Sequence, residues 1–303
     1  MDGILAVWKP EGWTSHDVVA KVRRILRLKR IGHAGTLDPM VTGVLPLCLG
    51  RSTRVVEYIQ DRPKAYEAVL KLGLSTDTED MTGQIIEQRP VRPLTQGEIQ
   101  EVLARFQGTI QQVPPMFSAV KVDGKRLYEL AREGKQVERK SREVTIHEIR
   151  LVNAKLDMEQ PEIAFSVVCS KGTYIRTLCV DIGKALELPA TMAKLVRTMS
   201  GGITAESCLT LENIQELAEA GELEKHLIPA DQGISHIPSG TVSPWAAKKA
   251  LLGQKLPLDS AAVTEALFHE GLIRLYDGNG AFLGIYRSDV EAGLFVPVKV
   301  FLP

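Results

Sequence analysis

Residues 32–43 read GHAGTLDPMVTG. Asp38 is the one carboxylate in this stretch. Pro39 follows it and pushes it towards extended backbone. Gly32, Gly35 and Gly43 permit tight turning and close approach of a ligand to the chain, and His33 stands five residues upstream of the aspartate. A single carboxylate held this way has two readings. It is a turn former, as most Asp-Pro pairs are, or it is a nucleophile that forms a covalent intermediate without help from a second acid.

Other chemistries would leave marks that are missing. The six histidines are scattered without HxxxH or HExxH spacing and the four cysteines (Cys48, Cys169, Cys179, Cys208) form no CxxC pair, so no metal site is expected. LCLGRST ends like a phosphate-binding loop. That motif needs glycine at 45 and lysine at 51, where the chain has Leu45 and Arg51. No GxGxxG follows a strand-like run. Ser15, His16 and Asp17 are consecutive, so they point apart and cannot form a hydrolase triad by adjacency. The zinc signature of nucleobase deaminases is also missing.

The elements that must position Asp38 can be read around it. An apolar strand in the first residues leads through KPEGW into a helix over about 16–29. Ser15 or Thr14 caps it, Val18, Val19, Val22, Ile25 and Leu26 form its apolar face, and Lys21, Arg23, Arg24, Arg27, Lys29 and Arg30 its basic one. VLPLCLG reads as a buried strand, STRVVEYIQ as a helix, KAYEAVLKLG as a strand and LTQGEIQEVLARFQG as a capped helix. EVTIHEIRLVNA and EIAFSVVCSKGTYIRTL alternate like paired strands, and TYIRTLCVDIGKAL turns from strand into helix. Residues 207–227 suggest acidic helices or turns. SGTVSPW near residue 240 has linker composition. After it come a short helix, PWAAKKALLG, and a hairpin, LIRLYDGNGAFLGIYR, turning at DGNG.

With 303 residues, 44% hydrophobic and 24% charged, the chain has ordinary globular composition. It shows no secretory signal and no apolar run long enough to span a bilayer, so a cytoplasmic protein with reduced thiols and no membrane partner is expected. Formal net charge is zero, but the charges are segregated. Residues 1–65 hold eleven Lys/Arg against six Asp/Glu, residues 121–142 eight against four, and residues 205–231 one against seven. Basic segments of this kind fit a nucleic-acid face as well as solvated helix surfaces.

GHAGTLDPMVTGVLP resembles the catalytic signature of the TruB family, the bacterial tRNA pseudouridine-55 synthases. The resemblance extends through KPEGWTS, KAYEAVLKLG, VPPMFSAVKVDGKRLYELAREG, CSKGTYIRTLCVDIGKAL and LVRTMSGG, nearly the whole chain in the family's order. One departure is Val41, where alanine is commoner. The resemblance implies an α+β pseudouridine synthase fold with a mixed, mainly antiparallel central sheet over residues 1–238, including a thumb-like segment at about 114–142. A small β-rich, PUA-like RNA-binding domain over 239–303 is implied by position.

It also implies roles. Asp38 matches the catalytic nucleophile. Tyr66 matches the tyrosine that stacks on the target base and takes part in proton transfer. Arg176 matches the arginine paired with the catalytic carboxylate. His33 matches a histidine that holds the flipped-out RNA loop, and Leu195 an apolar residue against the base, with Arg197 beside it. Lys9 and Pro10 match the opening motif packed beside the active site. His33, Leu195, Arg197 and Lys9 are the expected substrate-binding set. The implied partner is the T-arm of tRNA, with no obligate protein partner, a monomeric state, no metal and no cofactor.

The chemistry suits one aspartate. Pseudouridine formation breaks the N-glycosidic bond and rejoins the ribose to C5 of the same base, with no net gain of atoms and no redox change. An ionised carboxylate can act as nucleophile towards the ring or the sugar, and a guanidinium that grips it bidentately favours and aims it. Two other readings stand beside this one: a catalytically silent RNA-binding protein, against which intact Asp38, Tyr66 and Arg176 argue, and a related synthase acting on another RNA.

Overall fold

The structure is a computed structural model that describes residues 1–122, 124–135, 137–262 and 271–301. β1 (Gly3–Lys9) leads through a turn into α1 (Ser15–Leu26), whose N-terminus Thr14 caps in a reciprocal box with Asp17. Val18, Val19 and Val22 bury its apolar face. Arg27 adopts left-handed backbone (φ 50°) and ends the helix, so Lys29 and Arg30, expected on the helix, lie beyond it. β2 (Ile31–His33) precedes the aspartate loop, and β3 (Thr42–Leu49) follows it, buried from Gly43 onwards. A 3-10 turn and α2 (Val56–Gln60) carry the chain to β4 (Lys64–Leu72). There the alternating pattern buries Lys64, Tyr66, Ala68, Leu70 and Leu72.

β5 (Leu74–Thr76) and β6 (Ile85–Gln88) form a hairpin, followed by α3 (Gln96–Ala104) and β7 (Gly108–Gln112). The stretch expected to be thumb-like holds a small hairpin of β8 (Lys121–Val122) and β9 (Lys125–Arg126) and then α4 (Leu127–Arg132); its residues 123 and 136 lie outside the described set. β10 (Arg142–Lys155) pairs antiparallel with β11 (Glu162–Cys169), as the two alternating runs predict. The strand ends at Cys169, and Tyr174 already caps α5 (Ile175–Ala185), so TYI is loop and helix start where strand was expected. β12 (Ala190–Ser200), β13 (Ile203–Thr204), α6 (Leu211–Glu219) and α7 (Ala230–Gly233) follow.

Among the described residues nine strands form one mixed sheet with the central order β1-β3-β12-β4-β11-β10-β7, β2 beside β3 and β13 beside β12. Within this sheet, among the described residues, only the β3–β12 strand pairing is parallel. Leu70, Phe165, Ile163, Leu178 and Ile182 belong to the apolar cluster that joins α3 and α5 to the sheet, while α1 and α6 enclose Val18, Val22, Leu47 and Ile214 in another.

The second sheet contains β14 (Ser239–Val242), β15 (Leu256–Pro257), β16 (Ala261–Ala262), β17 (Gly271–Tyr276), β18 (Phe282–Asp289) and β19 (Leu294–Val300), in the order β15-β19-β18-β17-β14-β16. α8 (Pro244–Leu251), capped by Ser243 with Pro244 in its first turn, packs Ala246, Ala247 and Ala250 inward. Residues 263–270 and 302–303 of the expected C-terminal domain lie outside the described set. The two sheets share an apolar cluster: Ile4, Ile59, Ile234 and Ile237 from one side, Phe282, Ile285, Val298 and Phe301 from the other. The four cysteines are unpaired, and no described helix is long and apolar enough to cross a membrane.

Candidate active site

One cross-strand row brings sequence-distant residues together. Lys9 on β1 sits opposite Gly43 on β3, Gly43 opposite Arg197 on β12, and Arg197 opposite Tyr66 on β4. The close crossing explains Gly43. Its φ is 114°, and a Cβ there would lie 2.2 Å from the Arg197 carbonyl oxygen. The aspartate loop arches over this row.

The loop is held from beneath. Lys9 is fully buried, and its Nζ donates to the carbonyls of Pro10 (2.9 Å), Pro39 (2.9 Å) and Trp13. Arg197, 1% exposed, donates from Nε to Val44 O (2.7 Å), from Nη2 to Gly35 O (3.1 Å) and from Nη1 to Thr36 O (3.5 Å). Buried Ser15 accepts from Leu37 N (2.9 Å), and Gly12 N donates to Pro39 O (2.9 Å). Lys9 and Arg197, expected to bind substrate, are both buried, with their cationic heads bonded to backbone carbonyls of the loop and its flanks. Burial pushes the Lys9 amine down to about 8, with Asp38 acting in the opposite sense.

Above this support the Asp38 side chain is 47% exposed, with Oδ2 at 3.1 Å from Arg176 Nη2. Arg176 lies in the first turn of α5 and is buried. The expected two-pronged grip is not what the guanidinium makes. Nη2 also donates to Phe117 O (2.8 Å), Nη1 donates to Thr78 O (3.0 Å), and Asp80 Oδ2 stands 3.9 Å from Nη1. The cation is thus shared between the aspartate loop, the β5–β6 hairpin and the segment around Phe117. Gln112 fixes the head of α5 by exchanging two hydrogen bonds with Tyr174, from Nε2 to Tyr174 O (3.0 Å) and from Tyr174 N to Oε1 (2.7 Å).

Tyr66 and Leu195, each 8% exposed, belong to one apolar cluster with Leu37 and Val41 of the loop. Burial raises the Tyr66 phenol, and the Arg197 guanidinium beside it works against that. His33 is placed differently. It sits at the end of β2 with its ring edge-on to His16, centroids 5.6 Å apart, and its Nδ1 is buried without a partner. Burial first, then the His16 charge, holds it below the usual imidazole value. No contact of its ring with Asp38 is present among the described hydrogen bonds and ion pairs. Among the described residues no cluster of His, Cys, Asp and Glu has a metal-holding arrangement.

Sequence reasoning missed Asp80, Gln112, Ser15 in its loop-holding role, and Lys64. Buried Lys64 packs its Cε beneath Gly35 and donates to Gln60 O (2.7 Å) and Arg62 O (3.1 Å); burial, then Arg197, lowers it to about 8. Its place on the inward phase of a strand was the available signal, since a charged residue at an alternating buried position needs a reason.

Residues 23–175 match the TruB family pseudouridylate synthase N-terminal domain, and residues 176–235 match the tRNA pseudouridylate synthase B C-terminal domain. Over 303 residues the chain is 45% identical to the tRNA pseudouridine synthase B of Bacillus pumilus strain SAFR-032, covering 99% of this chain and 97% of that one. It is 42% identical to the protein of the same name from Bacillus subtilis strain 168, covering 100% and 98%. Among solved structures, a chain of the crystal structure of a Cbf5-Nop10-Gar1 complex superposes with a TM-score of 0.78 at 28% identity, over 99% of this chain and 85% of that one. With matches along its full length, the chain belongs to the TruB family of pseudouridylate synthases.

Proposed function

We propose that the protein converts a uridine in the T-arm of tRNA, at position 55, to pseudouridine, with Asp38 as the nucleophile. The observation that carries this reading is the half-exposed Asp38 carboxylate on a loop locked from below, with the buried Arg176 guanidinium 3.1 Å away. The relatives' shared name, tRNA pseudouridine synthase B, supports the substrate class.

The target base leaves its stack, at roughly a few kcal/mol, and Tyr66 stacking returns on the order of 1–3 kcal/mol. Leu195, in the same apolar cluster as Tyr66, packs against the base. Asp38 forms a covalent bond to the uridine, the N-glycosidic bond breaks, and the ribose rejoins the base at C5. The proton that C5 carried is then lost to solvent, N1 takes up a proton, and the bond to Asp38 breaks to restore the carboxylate. Lys9 and Arg197 hold the loop that carries Asp38. His33 faces the displaced RNA loop. The basic surface of α1 and the thumb-like residues 114–142 take phosphates, residues 1–238 act as the catalytic unit, and residues 239–303 act as a PUA-like RNA-binding unit. The enzyme works as a monomer in the cytoplasm and needs no cofactor.

The test is to incubate the protein with unmodified tRNA transcript and map pseudouridine by position. Conversion confined to position 55 is expected. Conversion at another position, or binding without conversion, contradicts the assignment.

A further inference from the structure

The tip of the β5–β6 hairpin gives Arg176 two of its partners, the Thr78 carbonyl and the Asp80 carboxylate. Glu79 lies between them with a left-handed backbone, φ 63°. A glutamate holds that conformation only where its surroundings fix it. Its carboxylate Oε2 accepts a hydrogen bond from Thr177 Oγ1 at 2.6 Å, and Thr177, buried on α5, directly follows Arg176. Its carbonyl accepts from Met192 N (3.1 Å), and Asp80 bridges to Met192 on β12. The other Asp80 oxygen is occupied within the tip by Thr78 Oγ1 (2.7 Å) and Thr82 N (2.9 Å). Glu79 thus adds a side-chain hydrogen bond that ties the tip to the helix carrying the arginine.

We propose that Glu79 is a positioning residue: through Thr177 it sets the distance between the hairpin tip and α5, and so fixes the guanidinium that faces Asp38. This rests on the reading of Asp38 as the nucleophile. A purely structural role for Glu79 would show as lost stability. A positioning role shows as a lost chemical rate in a protein that still folds and binds RNA. Glycine accepts the left-handed backbone without steric strain and removes the tie. Glutamine keeps an acceptor at the same place.

The experiment uses the full chain with substitutions Glu79→Gly, Glu79→Gln, Thr177→Val and the Gly/Val pair. Single-turnover conversion of unmodified tRNA at saturating protein, tRNA affinity and melting temperature are measured for each. Glu79→Gly and Thr177→Val are expected to lose about tenfold in rate, with affinity within about twofold, the pair no slower than either alone, and Glu79→Gln within about threefold of wild type. Should Glu79→Gly fail to fold, Thr177→Val and Glu79→Gln carry the comparison. A wild-type rate in Glu79→Gly or Thr177→Val, or losses that multiply in the pair, overturns the proposal. Asp38→Asn on the same tRNA separates the two claims. Conversion there overturns the assignment of Asp38, whereas a wild-type rate in Glu79→Gly beside an inactive Asp38→Asn overturns Glu79 alone.

Discussion

Arg176 divides its guanidinium among Asp38, Thr78 and Phe117, and lysine cannot reproduce that planar division. Arg176→Lys is expected to lower turnover by roughly a hundredfold, since a small misplacement at the reacting centre is costly. Unfolding free energy should fall by about 1–3 kcal/mol as buried carbonyls lose a donor. Turnover at the wild-type level would remove the residue from the site. The two buried lysines give a pH test. In the unfolded chain they keep their protons to about 10.5, and in the folded chain they lose them near 8. Folding therefore releases protons between these values, and their burial destabilises the fold most below pH 8. Relative to Lys64→Met, wild-type urea stability should rise from about pH 7.5 to about pH 9.5; a falling difference contradicts the assigned shift. Asp38 was legible because glycines and proline punctuate its loop and the motif is distinctive. The positions of Lys9 and Arg197 were not, because nothing local says that a lysine head bonds a carbonyl thirty residues on.

At the level of the strands, the site depends on the row Lys9, Gly43, Arg197, Tyr66. Gly43→Ala places a methyl group against the Arg197 backbone and a side chain on a left-handed φ. The expected cost is about 1–3 kcal/mol of overpacking, more with the backbone term. β12 must shift to relieve it, and Arg197 and the aspartate loop shift with it. Denaturation midpoint and turnover should fall together; an unchanged midpoint would mean that the crossing is looser than described. Alternation in KAYEAVLKL and in the paired runs at 142–155 and 162–169 made those strands readable, because the period of burial is written locally. The parallel contact of β3 with β12 joins residues about 150 positions apart, and no local pattern encodes it. The end of α1 was misplaced because a run of basic residues favours helix until Arg27 turns left-handed.

For the whole molecule, the two sheets are joined by shared apolar surface and by polar ties. Lys299 pairs with Glu57 at 2.9 Å, Arg274 donates to Ile237 O (2.7 Å) and Asp231 O (3.0 Å), and Tyr276 donates to Asp231 (2.9 Å). A chain ending at residue 238 would expose Ile4, Ile59, Ile234 and Ile237. It is expected to melt several degrees lower, on the scale of about 1–3 kcal/mol per uncovered side chain, to bind tRNA more weakly, and still to turn over at saturating RNA, because Asp38, Tyr66 and Arg176 all precede the cut. An unchanged melting temperature contradicts the shared core, and loss of turnover at saturating RNA contradicts the division of labour. Sequence composition near residue 240 suggested a linker; the amount of apolar surface crossing it could not be read, because isoleucines that cover a neighbour look like any other core residue.

Whether Asp38 performs the chemistry is read most directly from release of labelled hydrogen from C5 of the target uridine. Joining the ribose to C5 must free that hydrogen to water. Asp38→Asn keeps the shape of the side chain but is a poor nucleophile, and it removes the negative charge beside Arg176. Binding and release are measured on one preparation of wild type and variant. Near-normal tRNA binding by Asp38→Asn is expected, with no label above background. Normal binding with release at the wild-type rate would show that the loop positions RNA and that another residue attacks the uridine.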